Sequence, residues 1–263
     1  MAALHNTTTE AIGTGWARPC AAVAIIAAGL AIDQGLDFWG QTLTSATVWL
    51  VFLHWLRRAP KPTQLALVAC VVYATAGEVF LSLVWGLYDY RLANIPLFVP
   101  PGHALLFMLG GMIAARAGAW IVWTVPIAAA PFVLLLAVTG SDTLGLALFA
   151  MFLACVILGR ARKLYAVMFV LSLAMETYGT WLGNWTWRSE VPWLALTTIN
   201  PPLAAGAFYC ILDLLVVRTV AWLHSRPQAR SWLTDALSFS PAFPAWIRAA
   251  KLWAQRARIG AGI

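Results

Sequence analysis

Charge is what this sequence has least of: only 10% of its 263 residues are Asp, Glu, Lys or Arg, against 62% hydrophobic. A soluble globule of that length needs more polar surface to cover itself, so lipid must do part of the covering. Histidine and cysteine are equally scarce, four of each. His5, His54, His103 and His224 form none of the clustered boxes that a di-iron desaturase or hydroxylase requires. Cys20, Cys70, Cys155 and Cys210 lie singly in apolar runs, without metal or redox spacing, and read as small packing residues. There is no phosphate-cradling Gly-x4-Gly-Lys, no His-Glu-x-x-His, no Gly-x-Ser-x-Gly and no paired metal-binding Asp motif of the prenyltransferase kind. These absences point to chemistry without a metal or a cofactor.

What is present is a succession of long apolar runs rich in Ala, Leu and Val. A strand-built barrel would show alternating segments of ~10 residues, and a bilayer span needs ~20 mostly apolar residues in a helix. The expected fold is therefore all-α, with eight spans at about Ala17 to Ile32, Leu43 to Leu56, Gln64 to Trp85, Gly102 to Ala115, Ala119 to Val138, Thr143 to Leu158, Tyr165 to Leu182 and Pro202 to Leu223. The second and fourth runs are short, which leaves partial spans as the alternative there. The first run opens after polar residues and is followed by Asp33, Gln34 and Asp37 rather than by a small-residue cleavage site, so it reads as a retained helix.

Basic residues set orientation. Arg18, the Arg57-Arg58-Lys61 turn, Arg116, the Arg160-Arg162-Lys163 turn and the tail beyond Arg218 fall on alternate ends of the eight spans. The other end holds Asp33, Asp37, Asp89, Asp142 and Glu190, with Arg91 and Arg188. The positive-inside rule then places both termini in the cytoplasm of a multi-pass inner (plasma) membrane protein. The net charge of +7 is mostly this topology signal, and no nucleic-acid partner is expected. Four segments follow: residues 1–16, two four-helix units at 17–116 and 117–223, and a tail at 224–263. That tail mixes Trp232, Phe239, Phe243, Trp246 and Trp253 with Arg230, Arg248, Lys251, Arg256 and Arg258, the composition of a helix anchored in the headgroup layer.

The two four-helix units correspond in sequence. The first reads Glu78, then Gly86-Leu87-Tyr88-Asp89-Tyr90, then Pro100-Pro101; the second reads Glu176, then Gly183-Asn184-Trp185-Thr186-Trp187, then Pro201-Pro202. The offsets are 98, 97 and 101 residues, and two of only four Glu residues land at matching sites. A unit with an even number of spans keeps its orientation when duplicated, so parallel repeats are expected. Each Glu lies roughly 12 Å before the end of its helix at 1.5 Å per residue. Each helix then breaks into a Gly-x-aromatic-x-aromatic stretch whose two rings share a side if the chain is extended. Pro-Pro then restarts the next helix, in the first turn where proline is tolerated.

A carboxylate inside a span costs about 2.5 to 3.5 kcal/mol on insertion scales and is a functional candidate by default. Glu78 and Glu176 are the acid–base candidates. Asp213, near the middle of the eighth span and opposite the apolar Met112 in the first unit, is the asymmetric third. Tyr88, Tyr90, Trp185 and Trp187 offer ring faces to a cationic intermediate. Asn184 and Asn200 are candidates for orienting water or a polar head, and Asp89 and His103 are further substrate-binding candidates. The plainer alternative is structural: the two Glu residues hydrogen-bond the Trp and Tyr donors of their own unit and only fix the loops. Proton or cation conduction by a carrier, and a non-catalytic membrane subunit, are further alternatives.

At Glu78, Gly86 to Tyr90, Ile95-Pro96-Leu97-Phe98-Val99-Pro100, Trp185-Thr186-Trp187 and Asn200 the chain resembles the polytopic membrane carotenoid hydratases and, more remotely, the membrane lycopene cyclases. The resemblance covers about a quarter of the chain, and His103 stands where an aromatic is expected after the Pro motif. It implies a membrane-embedded enzyme that protonates a carbon–carbon double bond of an isoprenoid lipid and lets water or a second bond quench the cation. In a background with the four native cysteines replaced by alanine, Lys61→Cys and Lys163→Cys should react with an impermeant maleimide only from the cytoplasmic side. Labelling of either from outside intact cells refutes the orientation.

Overall fold

The computed structural model describes residues 16–225. Residues 1–15 and the basic aromatic tail beyond 225 lie outside the described residues. The chain up to Ala221 forms one unit, and of the second unit, Trp222–Ile263, only residues 222–225 are described.

The described chain is mostly helical. Its elements are α1 (Ala17–Gly35), α2 (Asp37–Arg58), α3 (Lys61–Glu78), β1 (Tyr88–Tyr90), α4 (Val99–Arg116), α5 (Ile121–Val138), α6 (Thr143–Leu158), α7 (Arg162–Leu182), β2 (Trp185–Trp187) and α8 (Gly206–His224). Among the described residues, four helices are long and apolar enough to cross a membrane: Ala17–Gly35, Lys61–Val84, Ile121–Val138 and Gly206–Leu223. These are the features of a membrane protein. In α5, Ile127, Phe132 and Val138 are exposed, and its internal Pro126 and Pro131 are tolerated as they are in bilayer helices generally.

α4 and α7 pack on each other at the centre, α4 also meeting α1, α2 and α3, and α7 meeting α1, α5 and α6. Their contact is close because Met168 of α7 fills the place a side chain at Gly110 of α4 would take. Further along α7, Phe169 stacks on Phe152 of α6 at 4.2 Å between ring centroids. Burial follows this arrangement: Ala104, Leu105, Tyr165 and Ala166 are wholly shielded.

Helix ends explain the connections. Asp142 caps α6 by accepting from Gly145 N at 2.8 Å, and its second oxygen accepts from Leu203 N at 3.0 Å. α7 stops at Gly183, whose φ of +82° is the left-handed C-terminal conformation that favours glycine. Its sequence counterpart Gly86 has φ +73°. Past Glu78, the third helix widens over Val79–Val84 to i→i+5 bonding, with Trp85 N donating to Phe80 O at 2.7 Å. Wide turns of this kind recur at functional sites.

Three expectations are refined. The short second run is part of a 22-residue helix, because its polar Gln41, Thr44 and Ser45 face inward and are buried. Pro100 and Pro101 do occupy the first turn of α4. Pro201 and Pro202 do not open α8, which begins at Gly206. The segment before it is held as a loop by Asn200 Oδ1 accepting from Trp187 N at 3.0 Å and by the Leu203–Asp142 bond, and it includes a cis Asn200–Pro201 peptide. Finally, the two aromatic stretches are not separate loops. They pair as an antiparallel ribbon in the register Tyr88–Trp187, Asp89–Thr186 and Tyr90–Trp185.

A β-branched residue cannot adopt the φ of Gly183 without strain. Gly183→Val should therefore lower stability in detergent by about 1–2 kcal/mol, read as a reduced melting temperature. An unchanged transition sinks this account of the α7–β2 junction.

Candidate active site beneath the aromatic hairpin

Period-two alternation in the ribbon puts Tyr88, Tyr90, Trp185 and Trp187 on the inner side, buried, and Asp89 and Thr186 on the outer side, exposed. The four rings touch across the strands, Tyr88 to Trp187 at 4.7 Å and Tyr90 to Trp185 at 6.1 Å, and make a continuous roof. Outside it, Arg188 Nε donates to Asp89 Oδ2 at 3.0 Å, an exposed ion pair bridging the strands. At the ends of the ribbon Arg91 N donates to Asn184 O and Arg188 N to Leu87 O.

Beneath the roof lies a largely apolar cleft with about 1020 Å³ of empty space counted to its open mouth. Glu78, Glu176, His103 and all four roof aromatics line it. Both carboxylates are buried and both point their oxygens at the roof. Glu78 Oε2 accepts from Tyr88 Oη at 2.8 Å and Tyr90 Oη at 2.7 Å. Glu176 Oε2 accepts from Trp185 Nε1 at 2.8 Å and Trp187 Nε1 at 3.1 Å. So each carboxylate holds the two rings of its own segment, as the plainer alternative expects.

The remaining oxygens differ. Glu176 Oε1 accepts from Tyr209 Oη at 2.9 Å, so this carboxylate is surrounded by three neutral donors, two of them indole N–H groups that can only donate. Glu78 Oε1 faces His103 Nε2 at 3.5 Å. His103 Nδ1 lies 2.9 Å from Val99 O, and because a carbonyl only accepts, that nitrogen carries hydrogen. Nε2 is then a bare lone pair in the neutral ring and a donor only in the cation. A hydrogen bond between Glu78 Oε1 and His103 Nε2 therefore needs a proton on one of the two, whereas Glu176 Oε2, held by two indole N–H groups, can only accept. The imidazole of His103 stacks on the Tyr209 ring at 5.0 Å and 7° between planes, so the two differing partners meet face to face between the carboxylates.

The other expected site residues lie outside the cleft lining. Asn184 Nδ2 donates to Asp33 Oδ2 at 2.7 Å and Leu30 O at 3.1 Å, tying the ribbon to α1. Asn200 holds Trp187 from behind, and Asp89 sits on the outer surface. Asp213 is fully buried in α8 with neither carboxylate oxygen hydrogen-bonded, in electrostatic reach of Cys70, Cys155, Cys210 and the likewise unpartnered Tyr165 hydroxyl. The structure brings together the two Glu residues and leaves the Asp apart. Tyr209 was not foreseen. Its signal is present, since it stands early in the helix after the second aromatic stretch as His103 does after the first, but the late start of α8 shifts the spacing to 106 residues. Among the described residues no group of His, Cys, Asp and Glu is arranged to hold a metal ion.

No family model, curated protein or solved structure matches this chain.

The roof is packed against α7 at Gly179, where a side chain would overlap the Trp185 indole. Gly179→Val should expel that indole: near-ultraviolet circular dichroism changes and tryptophan emission shifts, while helix content stays. Retention of the native near-ultraviolet spectrum contradicts the packing.

Proposed function

We propose that this protein is a multi-pass membrane enzyme that protonates a carbon–carbon double bond of an isoprenoid or similarly apolar lipid. The observation that carries the reading is the Glu78–His103 pair: a carboxyl group facing an imidazole nitrogen at 3.5 Å in the lining of an apolar cleft, a geometry in which one proton could be held between them. Delivery of that proton to one alkene carbon leaves a carbocation on the other. The Glu176 carboxylate, held by three neutral donors, and the faces of the roof rings are placed to stabilise positive charge there. The cation is quenched by water, by a second double bond or by loss of a neighbouring proton, giving hydration, cyclisation or isomerisation. In each case one proton returns to the Glu78–His103 pair. The resemblance to carotenoid hydratases and membrane lycopene cyclases points to the same reaction type.

The proposal extends to architecture: eight spans in two parallel four-helix repeats, both termini cytoplasmic. The register of the ribbon supports it. Tyr88 opposes Trp187 and Tyr90 opposes Trp185, the pairing that a local two-fold through Asp89 and Thr186 produces when residues 97 apart are equivalent. Glu78 and Glu176 then hold equivalent rings, with His103 and Tyr209 as the third partner in each half.

The test needs no identified substrate. Purified protein is incubated in D2O with vesicles containing mixed isoprenoid hydrocarbons, and the lipids are analysed by mass spectrometry for deuterium and added water. Wild type should label one lipid class. Glu78→Gln, which keeps size and hydrogen bonding, should lose about 100-fold or more, the usual weight of general acid catalysis. Glu176→Gln should also fall, and Asp213→Asn should stay near wild type because Asp213 does not reach the cleft. Full labelling by Glu78→Gln at normal protein levels overturns the reading, and ion flux without lipid labelling favours a carrier.

A further inference from the structure

The lining of the cleft describes its occupant, on the assumption that the acid–base reading above is right. Its acids and its imidazole, Glu78, Glu176 and His103, lie under the roof, and the lining hydroxyls of Thr44 and Tyr73 are taken by Gly29 O and Thr219. From there the walls run along α4 from Val99 to Leu106, about 10 Å at 1.5 Å per residue, to roughly the middle of the bundle. Below the roof they are Ile25, Ile26, Leu30, Leu105, Leu106 and Leu212. No Lys or Arg is among the lining residues, so nothing there holds a phosphate or diphosphate headgroup. The aqueous end is closed by the ribbon and its Asp89–Arg188 ion pair.

The side is different. α1 and α3 both line the cleft yet do not pack closely on each other. The outward residues of these two segments, Val23 on α1 and Val72, Val79, Phe80 and Leu83 on α3 and its continuation, are exposed and apolar. α2 meets both helices and lines the cleft through Thr44 and Val48, and the exposed faces of α1 and α3 beside it are apolar, as a lipid-facing side requires.

Two glycines stand beside the proton-sharing pair, Gly77 next to Glu78 and Gly102 next to His103. Both line the cleft, and a Cβ at either would meet nothing within 4 Å. The space beside each reactive group is therefore kept open by the missing side chain. Gly110, which packs against Met168 on the same helix as Gly102, shows the contrasting case of a glycine required by a neighbour.

We infer that the cleft admits the hydrocarbon end of an apolar lipid sideways, between α1 and α3, and that Gly77 and Gly102 determine how bulky a chain reaches Glu78 and His103. The lipid enters tail first, and any headgroup stays in the bilayer interface. The two glycines are specificity-determining positions: larger residues there narrow the space at the reactive end without touching the hydrogen bonds of either carboxylate.

Photo-crosslinking tests this separately from catalysis. The probe is a farnesyl-derived hydrocarbon with a terminal diazirine, added to vesicles holding the full chain, and adducts are mapped by peptide mass spectrometry. Wild type and Glu78→Gln should both carry adducts on cleft residues such as Ile26, Leu81 and Leu105. Gly77→Leu and Gly102→Leu should lose them roughly tenfold or more, the scale of discrimination that a few methylenes give in an apolar pocket. Gly77→Ala, a milder change, should fall between. Gly111→Leu, on α4 with equally open space but outside the cleft, should label like wild type and reports on folding. The diphosphate-bearing form of the probe should label the cleft less than the hydrocarbon. Undiminished cleft labelling in both leucine variants, or adducts confined to the lipid face of α5, overturns the inference. Cleft labelling with no deuterium transfer removes the enzymatic reading alone, whereas deuterium transfer with no cleft labelling removes this one alone.

Discussion

A carboxylate carried into the apolar interior of a helix bundle must find donors there, and that requirement organises this molecule. Glu78 and Glu176 are both buried, and the protein brings four aromatic donors to them. The donors are set on two short strands because alternation places every second ring on one face, and the strands pair because each leaves backbone groups that the other can take. The glycine turns at Gly86 and Gly183, the Asn184–Asp33 bond to α1 and the Asn200 bond to Trp187 all serve to hold that ribbon at the end of the bundle. Take away the two acids and the roof loses its anchors.

Satisfaction of a charge and availability for chemistry are opposing demands, and the two acids meet them differently. Two indole N–H groups hold Oε2 of Glu176 as an acceptor, and its Oε1 meets the Tyr209 hydroxyl. Glu78 spends one oxygen on two tyrosines and turns the other to His103, where a proton can move. The distinction rests on one bond outside the pair, that of His103 Nδ1 to the Val99 carbonyl, which fixes the tautomer. Holding the roof therefore takes one oxygen of Glu78 and leaves the other beside an imidazole.

The two carboxylates differ through the stacked rings of His103 and Tyr209, and Asp213 lies outside the cleft lining. Asp213 is the more conspicuous residue in the sequence, an acid in mid-helix opposite a methionine. It is buried within reach of thiols and a tyrosine hydroxyl and is not among the residues that line the cleft. A mid-span acid is a reason to look for chemistry, and its neighbours decide whether any takes place there.

Composition and periodicity determined much of this protein unaided. Low charge and long apolar runs point to helices in lipid, because an unpaired backbone is excluded there, and the recurrence of Glu, Gly, two aromatics and Pro-Pro singles out the two segments that pair. Seven residues singled out in the sequence meet around one cleft: Glu78, Tyr88, Tyr90, His103, Glu176, Trp185 and Trp187. Tertiary structure alone decided how they meet. Antiparallel pairing of segments 97 residues apart is a long-range contact with no local signature, and so is the stacking of His103 on Tyr209. Pro-Pro opens a helix at Pro100 but lies in a loop at Pro201, where Asn200 and Leu203 on either side are held by Trp187 and Asp142. Propensity acts over a few residues, whereas a buried hydrogen bond is indifferent to chain distance, and at this site the hydrogen bonds prevailed.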